Sequence, residues 1–314
     1  MRVVVISSSR NNVVKSIIQN SNVVCIVQST PRNKKPFFRR ILKRCIYALL
    51  DILNIDNGTL GKLARQEGIN FMIYDETKLS LYLNSNKIDL LFVYGMSALL
   101  PKSIWSIPEK GTVNLHLSYL PDWRGPFPEF WYYYNHDLEP GVTVHYIDEG
   151  EDTGDIIVQK KFSIPSGVTS RKYFDLAERK VGVQLVEEAL SLISNDKVRP
   201  KSHSEITTTG RAKNIPRDKH EYYIDWSSWG VDRTYHFLKG VESWMNPIAP
   251  PFGHRFGFRW VYYEKKIYSA EKHPRGPKRA LFGGELFLKD GSIKYKLDLR
   301  PSSIIRNLIN YGNK

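Results

Sequence analysis

Only two of the 314 residues are cysteine, Cys25 and Cys45. Two are too few for a disulfide framework or a zinc site. Both lie in apolar segments, where a thiol packs as a small hydrophobe. No run approaches the roughly 18 apolar residues that a membrane span requires. The amino terminus, MRVVVISSSRNN, has an apolar stretch too short for a signal peptide and no small-residue cleavage pattern behind it, so a cytoplasmic location is expected. The turn SSSRNN contains neither GxGxxG nor GxxxxGK. A dinucleotide cofactor and a P-loop are therefore not expected. Acid is scarce too: 32 Asp and Glu stand against 46 Lys and Arg, a net charge of +14. That balance suits a polyanionic partner such as nucleic acid, a nucleotide phosphate or an anionic membrane surface.

What is present is an alternation of apolar runs and helical patterns. RVVVI (2–6), VVCIVQ (23–28), INFMIYD (69–75) and IDLLFVYG (88–95) read as buried strands. Helices are expected between them, over Val13 to Asn20 and in LGKLARQEG (60–68). The order predicts an α/β fold with a parallel-rich sheet covered on both faces. KGTVNLH (110–116) and GVTVHYID (141–148) read as further strands, with DIIVQKKFSI (155–164) as a hairpin partner. One amphipathic helix is expected over 170–193, its stripe of Phe174, Ala177, Val181, Leu185, Ala189 and Leu192 facing the core. Polar residues punctuated by Pro and Gly follow, from 195 to 223. Two domains are expected, 1–200 and a smaller β-rich 201–314 with one helix around Val231 to Gly240.

The segment 31–50, PRNKKPFFRRILKRCIYALL, carries seven basic residues and no acid. A surface helix with a solvated edge, an anionic-membrane contact and a nucleic-acid or phosphate contact all fit this pattern.

The chemistry concentrates in NLHLSYLPDWRG (114–125) and DEGEDTGD (148–155). On a strand, Asn114 and His116 project from one face. If the neighbouring strand is 141–148, Asp152 can reach the imidazole. Amide, imidazole and carboxylate together suit proton transfer and oxyanion stabilisation. One His and one Asp are too few for a zinc site, and no metal is expected. Taken bare, the pattern fits a hydrogen-bonded core histidine better than a catalytic one.

These residues closely resemble the signature of the 10-formyltetrahydrofolate-dependent formyltransferases, which include sugar N-formyltransferases and methionyl-tRNA formyltransferases. Asn114, His116, Ser118, Leu120, Pro121, Arg124 and Gly125 match its first part. Gly141, Val142, Thr143, His145, Asp148, Gly150, Asp152, Thr153, Gly154, Asp155 and Ile156 match the rest. The resemblance implies a Rossmann-like formyltransferase domain followed by a β-rich carboxy-terminal domain. It implies that Asn114, His116 and Asp152 are catalytic and that 10-formyltetrahydrofolate is the co-substrate. It places the folate near Met96, Ser97, Leu99, Asp148, Gly150 and Glu151.

The acceptor expected is an amino sugar, nucleotide-linked, of surface-polysaccharide (lipopolysaccharide or O-antigen) biosynthesis, attacking directly through a tetrahedral intermediate. Ser118, Arg124, Gly125, Phe127 and Trp226 are the residues expected to meet it, in and after a Pro/Gly/aromatic loop. Methionyl-tRNA is the second reading. The length and charge allow it, but SSSRNN departs from the F-x-G-T-P-type turn of those enzymes. Other small amines, a non-enzymatic scaffold and a homodimer are also compatible with the sequence.

Overall fold

The computed structural model describes residues 1–29, 59–96, 98–202, 209–245, 247–249, 258–268 and 274–299. Cys45, Ser97, the basic segment 31–50 and the end of the tail lie outside the described residues. The chain divides into two compact units. The first comprises residues 1–125, 141–162 and 175–211; the second comprises 126–140, 163–174 and 212–314. The sequence pattern suggested one cut near residue 200. The observed division falls at 211/212, and it assigns two earlier stretches to the second unit.

The first unit holds a seven-stranded sheet in the order β3-β2-β1-β4-β5-β6-β7. Its strands are β1 (Arg2–Ser7), β2 (Asn22–Gln28), β3 (Asn70–Ile73), β4 (Leu90–Tyr94), β5 (Thr112–His116), β6 (Gly141–Tyr146) and β7 (Ile156–Lys161). The pairs from β3 to β5 are parallel, while β5–β6 and β6–β7 are antiparallel. Val3 to Ile6 on β1 and Leu90 to Phe92 on β4 are fully buried, as expected for central strands covered on both faces. Beside the sheet lie α1 (Asn12–Asn20), α2 (Leu60–Gln66), α3 (Glu76–Ser85) and the single turn α4 (Lys102–Trp105). Asn11, Thr59 and Asp75 cap the first three, each side chain accepting a backbone N–H. Strand order reverses direction between β1 and β4, so the crevice at their carboxyl ends is where ligands of such sheets bind.

Two departures from the sequence pattern matter. The first concerns the stretch after Gly125, which reads as loop. It folds from Pro128 into helix α5 (Pro128–Asn135). Pro128 sits in the first turn, where its missing N–H and fixed φ cost nothing. The second concerns the expected helix 170–193. It runs as α6 (Ser170–Leu176), a π-helical stretch (Ala177–Gly182) and α7 (Val183–Ser194). Thr169, not Ser170, caps it, its carbonyl and hydroxyl accepting from Tyr173 and Lys172. Ala177, Val181, Leu185 and Ala189 of the expected stripe are buried, and Val186, Leu190 and Ile193 join them beyond the π stretch, while Phe174 and Leu192 are half-buried.

In the second unit, helix α8 (Val231–Val241) accompanies a four-stranded antiparallel sheet, β8-β11-β10-β9. The strands are β8 (Phe258–Ile267), β9 (Gly276–Ala280), β10 (Gly283–Leu288) and β11 (Gly291–Leu299). One face buries Trp260, Tyr262, Leu286, Leu288, Ile293 and Tyr295. Phe130 of α5 packs edge-on against Phe237 of α8 at 5.6 Å between ring centres and against Tyr223 at 5.0 Å. Gly240 is required on α8, because a Cβ there would lie 2.2 Å from the buried ring of Tyr133.

Candidate active site

Strands β5 and β6 build the site. Their antiparallel register sets Asn114 opposite His145 and His116 opposite Thr143. Leu115 turns to the other face and is buried in the core. The period of the strand thus separates packing from chemistry. Asp152 returns on the loop after β6 and meets all three polar side chains. Its Oδ2 lies 3.5 Å from His116 Nδ1, and its Oδ1 lies 3.6 Å from His145 Nε2. Asn114 Nδ2 donates to Asp152 Oδ1 at 3.4 Å and to His145 Nε2 at 3.2 Å. The N–H of Gly125 donates to Asp152 Oδ2 at 3.0 Å. Gly125 has φ +102°, a conformation that L side chains avoid.

The protonation states follow from these contacts. Burial would raise the Asp152 carboxyl. The charge of His116, the hydrogen bond and charge of His145 and the Gly125 N–H together hold it below the ordinary carboxylate range. Asp152 is therefore ionised. Burial pulls His116 below the ordinary histidine value; Asp152 pushes it up, His145 pushes it down and the Trp123 carbonyl pushes it up. The ring is neutral near pH 7. Its Nε2 faces the Trp123 carbonyl oxygen at 3.3 Å while Nδ1 faces Asp152. A neutral imidazole has one N–H for these two acceptors. Taking up a proton satisfies both, so the ring is built to accept one. His145 differs. Its Nδ1–H donates to the Tyr146 carbonyl at 2.7 Å, and its Nε2 faces Asn114 and Asp152.

Two residues at this cluster carry left-handed backbone, Trp123 at φ 51° and Asp152 at φ 52°. Each such residue costs on the order of 1–3 kcal/mol and persists only where its surroundings hold it.

Residues 53–188 match the family model described as formyl transferase. The chain carries a formyl transferase domain over these residues. A methionyl-tRNA formyltransferase of Bacteroides thetaiotaomicron is 31% identical over 195 residues, 60% of this chain and 59% of that protein. One from Geotalea daltonii is 28% identical over 246 residues, 74% of this chain and 76% of that protein. The chain spans 53–62% of the length of several curated relatives that it matches. Among solved structures, WlaRD, a sugar 3N-formyl transferase crystallised in the presence of dTDP and 5-N-formyl-THF, superposes with a TM-score of 0.64 at 17% identity. That likeness covers 95% of this chain and 97% of WlaRD. The N-formyltransferase from Helicobacter canadensis, in complex with folinic acid and dTDP-3-aminofucose, also gives 0.64 at 17%, over 95% of this chain and 100% of its own. At that identity the likeness is one of fold.

In this formyltransferase domain the expected site residues fall into groups. Asn114, His116 and Asp152 form one cluster. Asp148, Gly150 and Glu151 lie on the same loop as Asp152. The Asp148 Oδ1 accepts from the Gly150 N–H at 3.0 Å and the Thr153 hydroxyl at 2.6 Å, so its carboxylate shapes the loop. Met96 packs against the core beside β4, whereas Leu99 is exposed. Arg124 is partly buried and makes no ion pair among the described residues. Ser118, expected to meet substrate, is fully buried instead. Its hydroxyl donates to the Asp122 carbonyl at 2.7 Å, and its carbonyl accepts from the Thr143 hydroxyl at 2.7 Å. It holds the loop in shape and offers no free group. Phe127 and Trp226 belong to the second unit, Phe127 exposed at φ 56° before α5 and Trp226 half-buried.

Three residues had not been placed in the site. His145 stands in the sequence motif, and strand alternation alone could have aimed it at Asn114. The carbonyl of Trp123 and the side chain of Thr209 carry no sequence signal, because loop closure brings them in. Among the described residues, no group of three or more His, Cys, Asp or Glu is arranged to hold a metal ion. The Cys25 thiol is buried and pushed up to about 12 by that burial, which makes it inert.

Proposed function

We propose that the chain transfers the formyl group of 10-formyltetrahydrofolate to the primary amine of a nucleotide-linked amino sugar. The observation that carries the formyl-transfer half is the neutral, buried His116 lying between the ionised Asp152 and the Trp123 carbonyl, with the Asn114 amide alongside. In this reading the amine nitrogen attacks the formyl carbon directly. The carbonyl π electrons move onto oxygen, and the Asn114 amide exchanges its long contact with Asp152 for one to that oxyanion, a contribution of about 3 kcal/mol. His116 takes the proton lost by the attacking amine, and Asp152 stabilises the resulting imidazolium. The C–N10 bond then breaks, and the proton passes to N10 of the departing tetrahydrofolate. The folate would lie in the crevice at the carboxyl ends of β1 and β4, beside Met96, Leu99 and the loop 148–151.

The sugar acceptor is supported by two features. The full-length fold likeness is to sugar N-formyltransferases solved with dTDP or a dTDP-sugar. Arg124, which makes no ion pair among the described residues, can grip a phosphate bidentately. Methionyl-tRNA is the second reading, favoured by the names of the relatives at about 30% identity. The surface-polysaccharide pathway is an extension of the sugar reading.

The test is direct. The protein is incubated with 10-formyltetrahydrofolate and either a panel of nucleotide-linked amino sugars or charged initiator tRNA, and folate absorbance is followed. Turnover with a sugar supports the first reading. Formylation of tRNA with no sugar turnover replaces it with the second, and no turnover with any amine removes both.

A further inference from the structure

The segment Thr209 to Arg211 touches both arms of the catalytic cluster. The hydroxyl of Thr209 accepts from the backbone N–H of Trp123 at 2.8 Å. Trp123 is the residue whose carbonyl faces His116 Nε2. Two residues further on, Arg211 pairs with the Glu151 carboxylate. Glu151 immediately precedes Asp152, whose carboxylate faces His116 Nδ1. One three-residue segment therefore binds the loop carrying each acceptor of the His116 ring. The residues carrying those acceptors, Trp123 and Asp152, are the two in the cluster with left-handed backbone. A strained, non-glycine position needs contacts that prevent its relaxation; the segment holds Trp123 directly and Asp152 through the neighbouring Glu151. Arg211 is the last residue of the first unit.

We infer that Thr209 and Arg211 are positioning residues. They strap the 117–125 and 147–155 loops so that the Trp123 carbonyl and the Asp152 carboxylate stay in register with the two nitrogens of His116. Neither residue touches a reacting atom. Thr209 carries the larger share, because its hydrogen bond reaches a nearly buried Trp123. The Arg211 side chain is 60% exposed, and an exposed ion pair contributes little.

This inference concerns catalysis only if the formyl-transfer reading holds, so the test uses a readout that does not need turnover. Ring-nitrogen NMR of the full chain follows the tautomer and titration of His116, its signal assigned by its loss in His116→Gln. The ring is faced by Asp152, His145 and the Trp123 carbonyl, and each variant is compared at matched salt. Thr209→Val removes the acceptor at nearly constant volume. It is expected to change the tautomer ratio and to lower the His116 titration by about half a pH unit, because the Trp123 carbonyl helps hold the proton. Thr209→Ser restores the wild-type signal. Arg211→Ala moves the signal the same way by less, and its exposed position keeps the fold intact if Thr209→Val does not fold. In the formyl-transfer assay Thr209→Val lowers kcat about tenfold, with KM for the folate within about twofold. An unchanged His116 signal in Arg211→Ala and in whichever Thr209→Val protein folds overturns the strap, whatever the enzyme does. A moved signal without formyl transfer to any amine keeps the strap and removes the reaction.

Discussion

His116 in the first unit and His236 in the second are both buried, and burial draws both toward the neutral form. Their partners differ. His116 lies between the ionised Asp152 and a backbone carbonyl, two acceptors that a proton would satisfy. His236, on α8, accepts the Gly167 N–H at Nδ1 at 3.0 Å and stacks on Tyr133 at 4.6 Å. Its Nε2 meets no hydrogen-bond partner among the described residues. No carboxylate offsets its burial, and neighbouring His136 lowers it further, to about 4. Burial alone makes a histidine a structural group. Burial beside a fixed carboxylate makes it a base. Replacing each ring tests that distinction most severely. His116→Ala is expected to lower kcat by about 10³-fold or more while the melting temperature changes little. A variant that keeps full turnover removes the catalytic assignment.

The second prediction concerns pH. The folded-state value of His236 is depressed below its unfolded value, so the folded state favours the neutral ring. That contribution is complete above the unfolded value of 6.5 and is lost as pH falls from there toward about 4. The loss comes to about 3 kcal/mol by the general relation of about 1.4 kcal/mol per pH unit. Denaturant melts between pH 7 and pH 4 should show it. His236→Asn keeps an acceptor near the Gly167 N–H and does not titrate, so its stability should fall less over the same window. Equal slopes for the two proteins would show that His236 does not govern the second unit's acid sensitivity.

The same contrast explains what could be read in the sequence. Asn114, His116 and Asp152 were legible, because strand period fixes which side chains share a face and a glycine-rich turn marks the return of the acid. The parallel strands were legible as continuous β-branched runs such as RVVVI. Helix α5 was not, since Pro126, Pro128 and Gly125 outweigh the helical spacing of Phe130 and Tyr133 in any local reading. The π-helical stretch at 177–182 was equally hidden: its sequence, AERKVG, is ordinary helix former. Ser118 was misread because motif membership says nothing of whether a hydroxyl serves substrate or its own loop. Thr209 and the Trp123 carbonyl depend on chain closure over 86 residues, beyond the reach of local pattern.

Asn114 sharpens the comparison from within the first unit. Its amide is tied to both His145 and Asp152. Asn114→Ala is expected to lower kcat about 10²-fold, or roughly 2.7 kcal/mol, as for loss of one oxyanion donor. KM for the folate should stay within about twofold. A rise in KM with kcat unchanged would instead make Asn114 a binding group.

The smallest effect is expected at the β1–β4 crevice, where a third, half-buried polar arrangement stands between these two extremes. Glu178, on the π-helical stretch, accepts the Tyr94 hydroxyl at 3.0 Å and faces the N–H of Asn12 at 3.4 Å. A carboxylate at the first turn of α1 is favoured by the helix dipole and by the unpaired N–H groups there. The π stretch brings this acid to the helix start, and the acid in turn fixes the end of β4. Tyr94→Phe removes one charge-assisted hydrogen bond and leaves Glu178 its contact with α1. The expected loss is about 1–2 kcal/mol of stability, measured by urea melts, with kcat unchanged. Glu178→Gln keeps a weaker acceptor at both contacts and should cost less than Glu178→Ala. A fall in kcat in Tyr94→Phe without loss of stability would move this acid from the scaffold into the folate crevice.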